Sequence, residues 1–221
     1  MATNEVGTRE QWRAAYEDLR AEEKALTRRT DELARQRQAL PWVPVTREYR
    51  FDTNAGSKTL AELFDGRSQL IIRHFMHGPK TPQGCPGCTF ETDNLVGAVP
   101  HLAHRDVTFL LASRSPLATL NEYKARFGWD IDWVSMGDNG FNDDFYEIMQ
   151  IPSPKRPGDM LDVMELMALS CFTLRDGTVY HTYSTYDRGT DALNATWQLL
   201  DRAPNGRGDT FDTWPRKRDE Y

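Results

Sequence analysis

The chain has 221 residues, 39% hydrophobic and 27% charged, which is enough for one well-buried core with an appendage and typical of a soluble globular protein. Its formal net charge of −6 argues against nucleic acid and against an anionic membrane as partners. No apolar run approaches the roughly 20 residues of a membrane span, and no basic segment followed by an apolar one marks the N-terminus, so a cytoplasmic protein is expected.

Residues 9–40 contain neither Pro nor Gly and are rich in Ala, Glu, Arg, Gln and Leu, all strong helix formers. Trp12, Leu19, Leu26, Leu33 and Leu40 recur every seven residues, with Tyr16 beside the first. Glu23, Thr30 and Arg37 at the companion positions are polar, so the apolar stripe is narrow. Thr8 is the expected N-cap and Pro41 the expected stop. The stripe fits either a long helix packed across the domain or a helix shared with a second subunit in a homodimer. Residues 41–44 should be extended, and 48–52 alternate as an edge strand does. Residues 54–56 form a turn and 59–64 a short helix closed by Asp65 and Gly66.

Residues 70–76 form the first core strand. A helix is expected over 85–104, kinked or ended by Pro100. Residues 106–113 are nearly all apolar, as a strand covered on both faces requires. Ser115 and Pro116 supply the N-cap and first-turn proline of a helix reaching 127, and 132–135 is a short strand. This alternation predicts a parallel α/β unit with right-handed crossovers. Residues 137–158 form a long irregular stretch with three prolines, a size often tied to function. Residues 160–169 should be partly helical. An Asp176-Gly177 turn joins 170–174 to 178–183 as a hairpin. Residues 190–200 are the last helix. The expected domains are a helical extension (1–41), a main domain (42–200) and a surface tail (201–221).

The chain is organised around residues 69–90: a buried strand, a Gly/Pro-rich loop, then Cys85-Pro86-Gly87-Cys88 opening a helix. A helix N-terminus stabilises thiolate through its free N–H groups and partial positive charge. Cys85 would then be the more exposed, lower-pKa thiol and the nucleophile, Pro86 would suit the first helical position, and Cys88 would be the resolving thiol one turn inside. A close pair in a reducing compartment points to redox work or to metal. His101 and His104 follow Cys88 at nearly a zinc-finger spacing, but thirteen helical residues would hold the two pairs ~20 Å apart. His74, His77, Cys85 and Cys88 lie around one loop and would hold a metal more easily. An idle pair on a scaffold is the third reading.

Other residues carry two readings each. His74 is a core histidine or a ligand. His77 follows the strand and would assist Cys85 as a base. Arg73 would stabilise a thiolate or form a salt bridge. Cys171 behaves as a small apolar residue or as a third redox thiol. The run 181–186, with Asp187 and Arg188, is a hydrogen-bonded strand end or lines a small-molecule pocket. Trp129, Trp133, Phe141 and Phe145 are core anchors or the walls of a pocket near the dithiol. The acidic residues 138–144 make a turn and lack the spacing of a calcium loop.

Leu40-Pro-Trp-Val43, Leu63-Phe-Asp-Gly-Arg67, His74-Phe-Met76, Gly84-Cys-Pro-Gly-Cys88, Arg105-Asp-Val-Thr-Phe109, Gly128-Trp129 and His181-Thr-Tyr-Ser-Thr-Tyr186 together resemble a bacterial thioredoxin-like family of unassigned function. Some of its members are labelled predicted dithiol–disulfide isomerases. The match runs from the N-terminal helix to about Asp201. It implies a thioredoxin-like α/β fold, with a central mixed sheet flanked by helices and a long N-terminal helix in front. It also implies a redox role on protein or small-molecule thiols and disulfides, without a cofactor. One departure is that the superfamily's cis-proline position falls near 168–170, where this chain has none; the nearest preceding proline is Pro157. The superfamily's peroxidase motif is also broken, because Thr81 stands four residues before Cys85 and not three. The expected function is thus thiol–disulfide exchange, ahead of metal or small-ligand binding without turnover, and then of a thiol peroxidase-like reductase.

Overall fold

The computed structural model describes residues 5–151, 165–208 and 215–221. It divides into two compact units, Met1–Pro41 and Trp42–Tyr221. Among the described residues the first contains one helix, α1 (Arg9–Gln38). Thr8 caps it with a capping box: its hydroxyl accepts the Gln11 N–H while the Gln11 side chain accepts the Thr8 N–H. Helical residues end at Gln38, as an X-Pro step at Leu40-Pro41 favours. No residue of α1 is buried. Trp12 and Tyr16 stack at 4.8 Å between ring centres, and Leu19 and Leu26 are exposed.

The second unit contains, in order, β1 (Val43–Pro44), β2 (Arg50–Thr53), β3 (Gly56–Thr59), β4 (Gln69–His74), α2 (Pro86–Leu95), α3 (Val99–His104), β5 (Val107–Ser113), α4 (Leu117–Phe127), β6 (Asp132–Ser135), α5 (Phe141–Ile148), β7 (Ala168–Arg175), β8 (Thr178–Tyr186) and α6 (Ala195–Leu200). The strands form one eight-stranded sheet in the order β1-β8-β7-β4-β5-β6-β2-β3. β4, β5 and β6 are parallel, and β7 runs antiparallel on the other side of β4 with β8 beyond it. A parallel strand–helix–strand unit with the dithiol opening its crossover helix, flanked by an antiparallel hairpin, is a thioredoxin-like fold.

Successive strand residues face opposite sides of a sheet, and this sorts the core into two layers. Leu70, Ile72, Leu110 and Ala112 join Phe51, Phe64, Phe141, Phe145 and Phe172 on one face. Ile71, Phe109, Leu111 and Leu169 join Cys85, Cys88, Leu120, Tyr123, Phe127 and Trp133 on the other. The β7–β8 turn places Asp176 and Gly177 at φ 49° and 78°, the two positive values of a type I′ hairpin.

Several boundaries differ from expectation. β2 is not an edge strand. It pairs with β3, which the sequence pattern hides, and it meets β6 at Asp52 and Ser135. The helix expected over 85–104 is interrupted by a 3-10 turn at Val96–Ala98, and Pro100 falls in the first turn of α3, where its missing N–H is tolerated. The expected irregular stretch after residue 137 contains α5, whose Phe141, Phe145 and Tyr146 are drawn into the core; residues 152–158 lie outside the described residues. Of the partly helical segment expected at 160–169, residues 160–164 also lie outside them, 165–167 are not helical, and β7 starts at Ala168. The last helix splits at Asn194 into a 3-10 segment (Asp187–Leu193) and α6. Pro116, not Ser115, precedes the first residue of α4 as its cap.

Candidate active site

The dithiol loop is fixed at both ends. The Cys85 N–H donates to Met76 O at 3.0 Å, returning the loop to the end of β4. Gly84 has φ +69°, and a Cβ there would stand 2.6 Å from carbons of the Tyr123 ring, so glycine alone fits. Pro86 opens α2, and Cys85 is its N-cap with its sulfur accepting the Cys88 N–H at 3.4 Å. Cys85 is 8% exposed and Cys88 is fully buried. The two are not bonded to each other. The Cys85 thiol is pulled down to about 6, first by its hydrogen bond with the Cys88 side chain, then by the N–H groups of Cys88 and Gly87 and by the charge of Arg73; burial opposes them. Burial is what pushes Cys88 up, and its bond to Cys85 adds to this.

Arg73 reaches the dithiol from below, because odd-numbered β4 residues face that side. It is 1% exposed. Its Nη1 donates to Ala168 O at 2.8 Å, and its Nη2 is ion-paired with Glu91 Oε2. Its charge favours the thiolate form of both Cys85 and Cys88. Glu91 belongs to α2, one turn beyond Cys88, and its Oε1 accepts the Thr190 hydroxyl at 2.9 Å.

A second group of side chains supports the loop from α4 and from the C-terminal segment. The Thr89 hydroxyl donates to Cys85 O at 2.8 Å and is 2.8 Å from the Tyr123 hydroxyl. Tyr123 meets His77 edge-on at 5.0 Å between ring centres. His77 Nδ1 is bonded to the Ser115 hydroxyl at 2.8 Å, the contact that takes Ser115 away from capping α4. Burial, with the Lys217 charge adding to it, lowers the His77 pKa. Lys217 is itself buried. It donates to Gln83 O at 2.6 Å and stands 5.6 Å over the Tyr123 ring. The last residues are therefore not a simple surface tail, and Arg218 adds an ion pair to Asp93 at 3.3 Å.

The residues singled out from the sequence are not all brought together. His74 faces the opposite side of the sheet, where its Nδ1 is bonded to Asn142 Oδ1 and its Nε2 to the Ser170 hydroxyl, both at 3.0 Å. Neither nitrogen is free to join Cys85 and Cys88 around a metal, and among the described residues no group of three or more His, Cys, Asp or Glu is placed to hold one. His77 is nearer the dithiol but is tied to Ser115. His101 and His104 are exposed in α3. Cys171 packs at the margin of the dithiol-side core, and burial pushes its thiol up to about 12. Trp129 and Trp133 stand on the dithiol face, Phe141 and Phe145 on the other. The 181–186 run is a hydrogen-bonded strand end: His181 bonds Ser184 at 2.7 Å and Ser184 bonds Ser170 at 2.8 Å. It also borders an open cleft with Ile148 and Met149. Glu91, Tyr123 and Lys217 were not singled out. Only Glu91 leaves a trace in the sequence, as an acid one turn after Cys88.

A family model described as "Bacterial protein of unknown function (DUF899)" matches residues 1–221. The chain belongs to that family. No curated protein matches this DUF899 chain. Among solved structures it is similar to the bacterioferritin comigratory protein of Xanthomonas campestris, which has alkyl peroxide reduction activity, at 16% identity and TM-score 0.46 over 70% of this chain and 95% of that one. It is similar to peroxidoxin BcpB from Mycobacterium tuberculosis at 14% identity and TM-score 0.46, over 73% and 96% of the two chains. The corresponding values for the yeast mitochondrial 1-Cys peroxiredoxin are 17%, 0.42, 74% and 78%. Among the described residues no helix is long and apolar enough to cross a membrane.

Proposed function

We propose that this protein is a thiol–disulfide oxidoreductase, with Cys85 as nucleophile and Cys88 as resolving thiol. The reading is carried by the asymmetry of the pair. Cys85 is the less deeply buried of the two, its sulfur is turned to helix N–H groups and its thiolate is favoured, while Cys88 is sealed one turn inside and kept as a thiol. The Cys85 thiolate attacks one sulfur of a substrate disulfide, forming a mixed disulfide and expelling the other sulfur as thiolate. Cys88 then attacks Cys85 Sγ. The Cys85–Cys88 bond forms, the bond to substrate breaks, and the substrate has gained two electrons and two protons. The substrate is a protein or small-molecule disulfide that approaches beside Pro86, the exposed residue of the motif.

The test is turnover of a small disulfide by wild type, Cys85→Ser and Cys88→Ser, with a glutathione redox titration. Cys85→Ser should be inactive, and Cys88→Ser should accumulate a mixed disulfide on Cys85. The midpoint should fall within ~−120 to −270 mV, the span of known disulfide enzymes. Unchanged turnover in Cys85→Ser would sink the assignment.

The low exposure of Cys85 favours one second reading, a peroxide substrate small enough to enter. There Cys85 would take the distal oxygen as sulfenic acid, the O–O bond would break to release an alcohol or water, and Cys88 would condense to the disulfide with loss of water. Trapping of a Cys85 sulfenic acid in Cys88→Ser, with peroxide consumed faster than disulfide, would select it.

A further inference from the structure

To close the cycle Cys88 must ionise, yet it is the fully buried thiol of the pair, and burial works against its thiolate. Arg73, on the same side of the sheet, is the positive charge set against it. Arg73 is not free, however, because its Nη2 is held by Glu91. Glu91 follows Cys88 by three residues, so the two share a face of α2. It is 9% exposed and is fixed by the Thr190 hydroxyl at 2.9 Å. Arg73 Nε has no hydrogen-bond partner among the described residues, so the guanidinium keeps a donor to offer. One buried cation thus stands between a carboxylate it already holds and a sulfur that must become an anion.

We propose that Glu91 is a positioning residue that sets how readily Cys88 ionises: it holds Arg73 while Cys88 is a thiol and yields it to the Cys88 thiolate in the resolving step. This rests on the disulfide-exchange reading of the pair. In that step the Cys88–Cys85 bond forms and the Cys85–substrate bond breaks. The Cys88 proton ends on the departing substrate sulfur, and the electron pair leaves with it. The other titratable groups on this side are His77, Tyr123, Lys217 and Cys171, with the Asp93–Arg218 ion pair beside them, and among the described residues none is hydrogen-bonded or ion-paired to Arg73 or Glu91.

The experiment compares Glu91→Gln with the double variant Arg73→Met/Glu91→Gln in the full chain. One readout is the ionisation of Cys88, followed by alkylation rate against pH in a Cys85→Ser background. The other is the equilibrium of the intact dithiol with glutathione. Glu91→Gln releases Arg73 to the thiolate, so the Cys88 pKa should fall by a unit or more. The disulfide should become about tenfold more oxidising, equivalent to about 30 mV. The double variant removes the cation as well, so both readouts should move the other way, past wild type.

Loosening of α2 alone would move the two variants in the same direction, and that result, or no movement, overturns the proposal. If Glu91→Gln does not fold, the double variant still decides, because neutral groups replace the buried pair without leaving a lone charge; a Cys88 pKa at or below that of the parent counts against Glu91. If the intact wild type forms no reversible disulfide, the exchange reading fails, while the alkylation profiles still report whether Glu91 governs Cys88.

Discussion

Arg73 and His74 are consecutive in β4 and face opposite sides of the sheet, the guanidinium toward Cys88 and Glu91, the imidazole toward Asn142 and Ser170. One strand therefore supplies a charged group to the dithiol and a neutral hydrogen-bonding group to the other core.

His74 makes the fold sensitive to acid. Burial lowers its pKa to about 4, from 6.5 when exposed. Between those values the unfolded chain binds a proton that the folded chain refuses, so stability falls as pH drops from 6.5 through 4. The full contribution is about 3 kcal/mol at 1.36 kcal/mol per unit. Denaturant midpoints at pH 7 and pH 4.5 should differ less in His74→Gln than in wild type. An equal acid loss in both would show that His74 is not the group responsible.

Cys85 should react as a thiolate near neutral pH. Its alkylation rate should rise through about pH 6, whereas Cys171, pushed up to about 12 by burial, should stay unmodified in the native protein. The linked stability has the opposite sense to that of a raised group. It is fully present above the ordinary thiol pKa of about 8.5 and is lost as pH falls through the folded value. Mass spectrometry after timed iodoacetamide pulses reads the profile, and a Cys85 rate rising only near pH 8.5 would refute it.

Much of this was legible in the sequence, and the limits are physical. β4, β5 and the β7–β8 hairpin announce themselves because each has an apolar run or a turn signal that local chemistry demands. The dithiol's place at a helix start follows from Cys85-Pro86 alone. β3 was hidden because Ser57, Lys58 and Thr59 carry no apolar alternation; backbone pairing with β2 holds them. α5 was hidden inside a Gly- and Asp-rich stretch, since its helix is driven by Phe141 and Phe145 finding a core built by distant strands. The side chains around the dithiol were least legible. Tyr123 and Lys217 reach it from about 35 and 130 residues away, through contacts that no local spacing encodes.

Gly84 tests how closely the loop is fitted. Gly84→Ala must hold a positive φ and also displace the Tyr123 ring, whose carbons would lie 2.6 Å from the new Cβ. Gly137→Ala makes a control, because it also has positive φ, at +50°, but meets nothing within 4 Å. The backbone effect common to both is about 1 kcal/mol, and overpacking adds about 1–3 kcal/mol at Gly84 alone. Urea denaturation should show Gly84→Ala the less stable by that margin. Equal losses would mean that Tyr123 moves aside at no cost.

Lys217 tests whether the C-terminal segment supports the dithiol loop. Its ammonium donates to Gln83 O, two residues before Cys85, and its charge is one of the two causes that lower the His77 pKa. Lys217→Met removes both the donor and the charge, and Lys217→Gln removes the charge while keeping a donor. The His77 pKa, followed by NMR, should rise in both variants but stay below its ordinary value, because burial is the larger cause. Stability should fall by about 1.5–3 kcal/mol in Lys217→Met, the range for a hydrogen bond to a charged group, and by less in Lys217→Gln. Cys85 alkylation should also quicken in Lys217→Met as the loop at Gln83 loosens. A His77 pKa unmoved in both variants would mean that Lys217 does not sit over this site in solution, and the C-terminal residues would then be a tail after all.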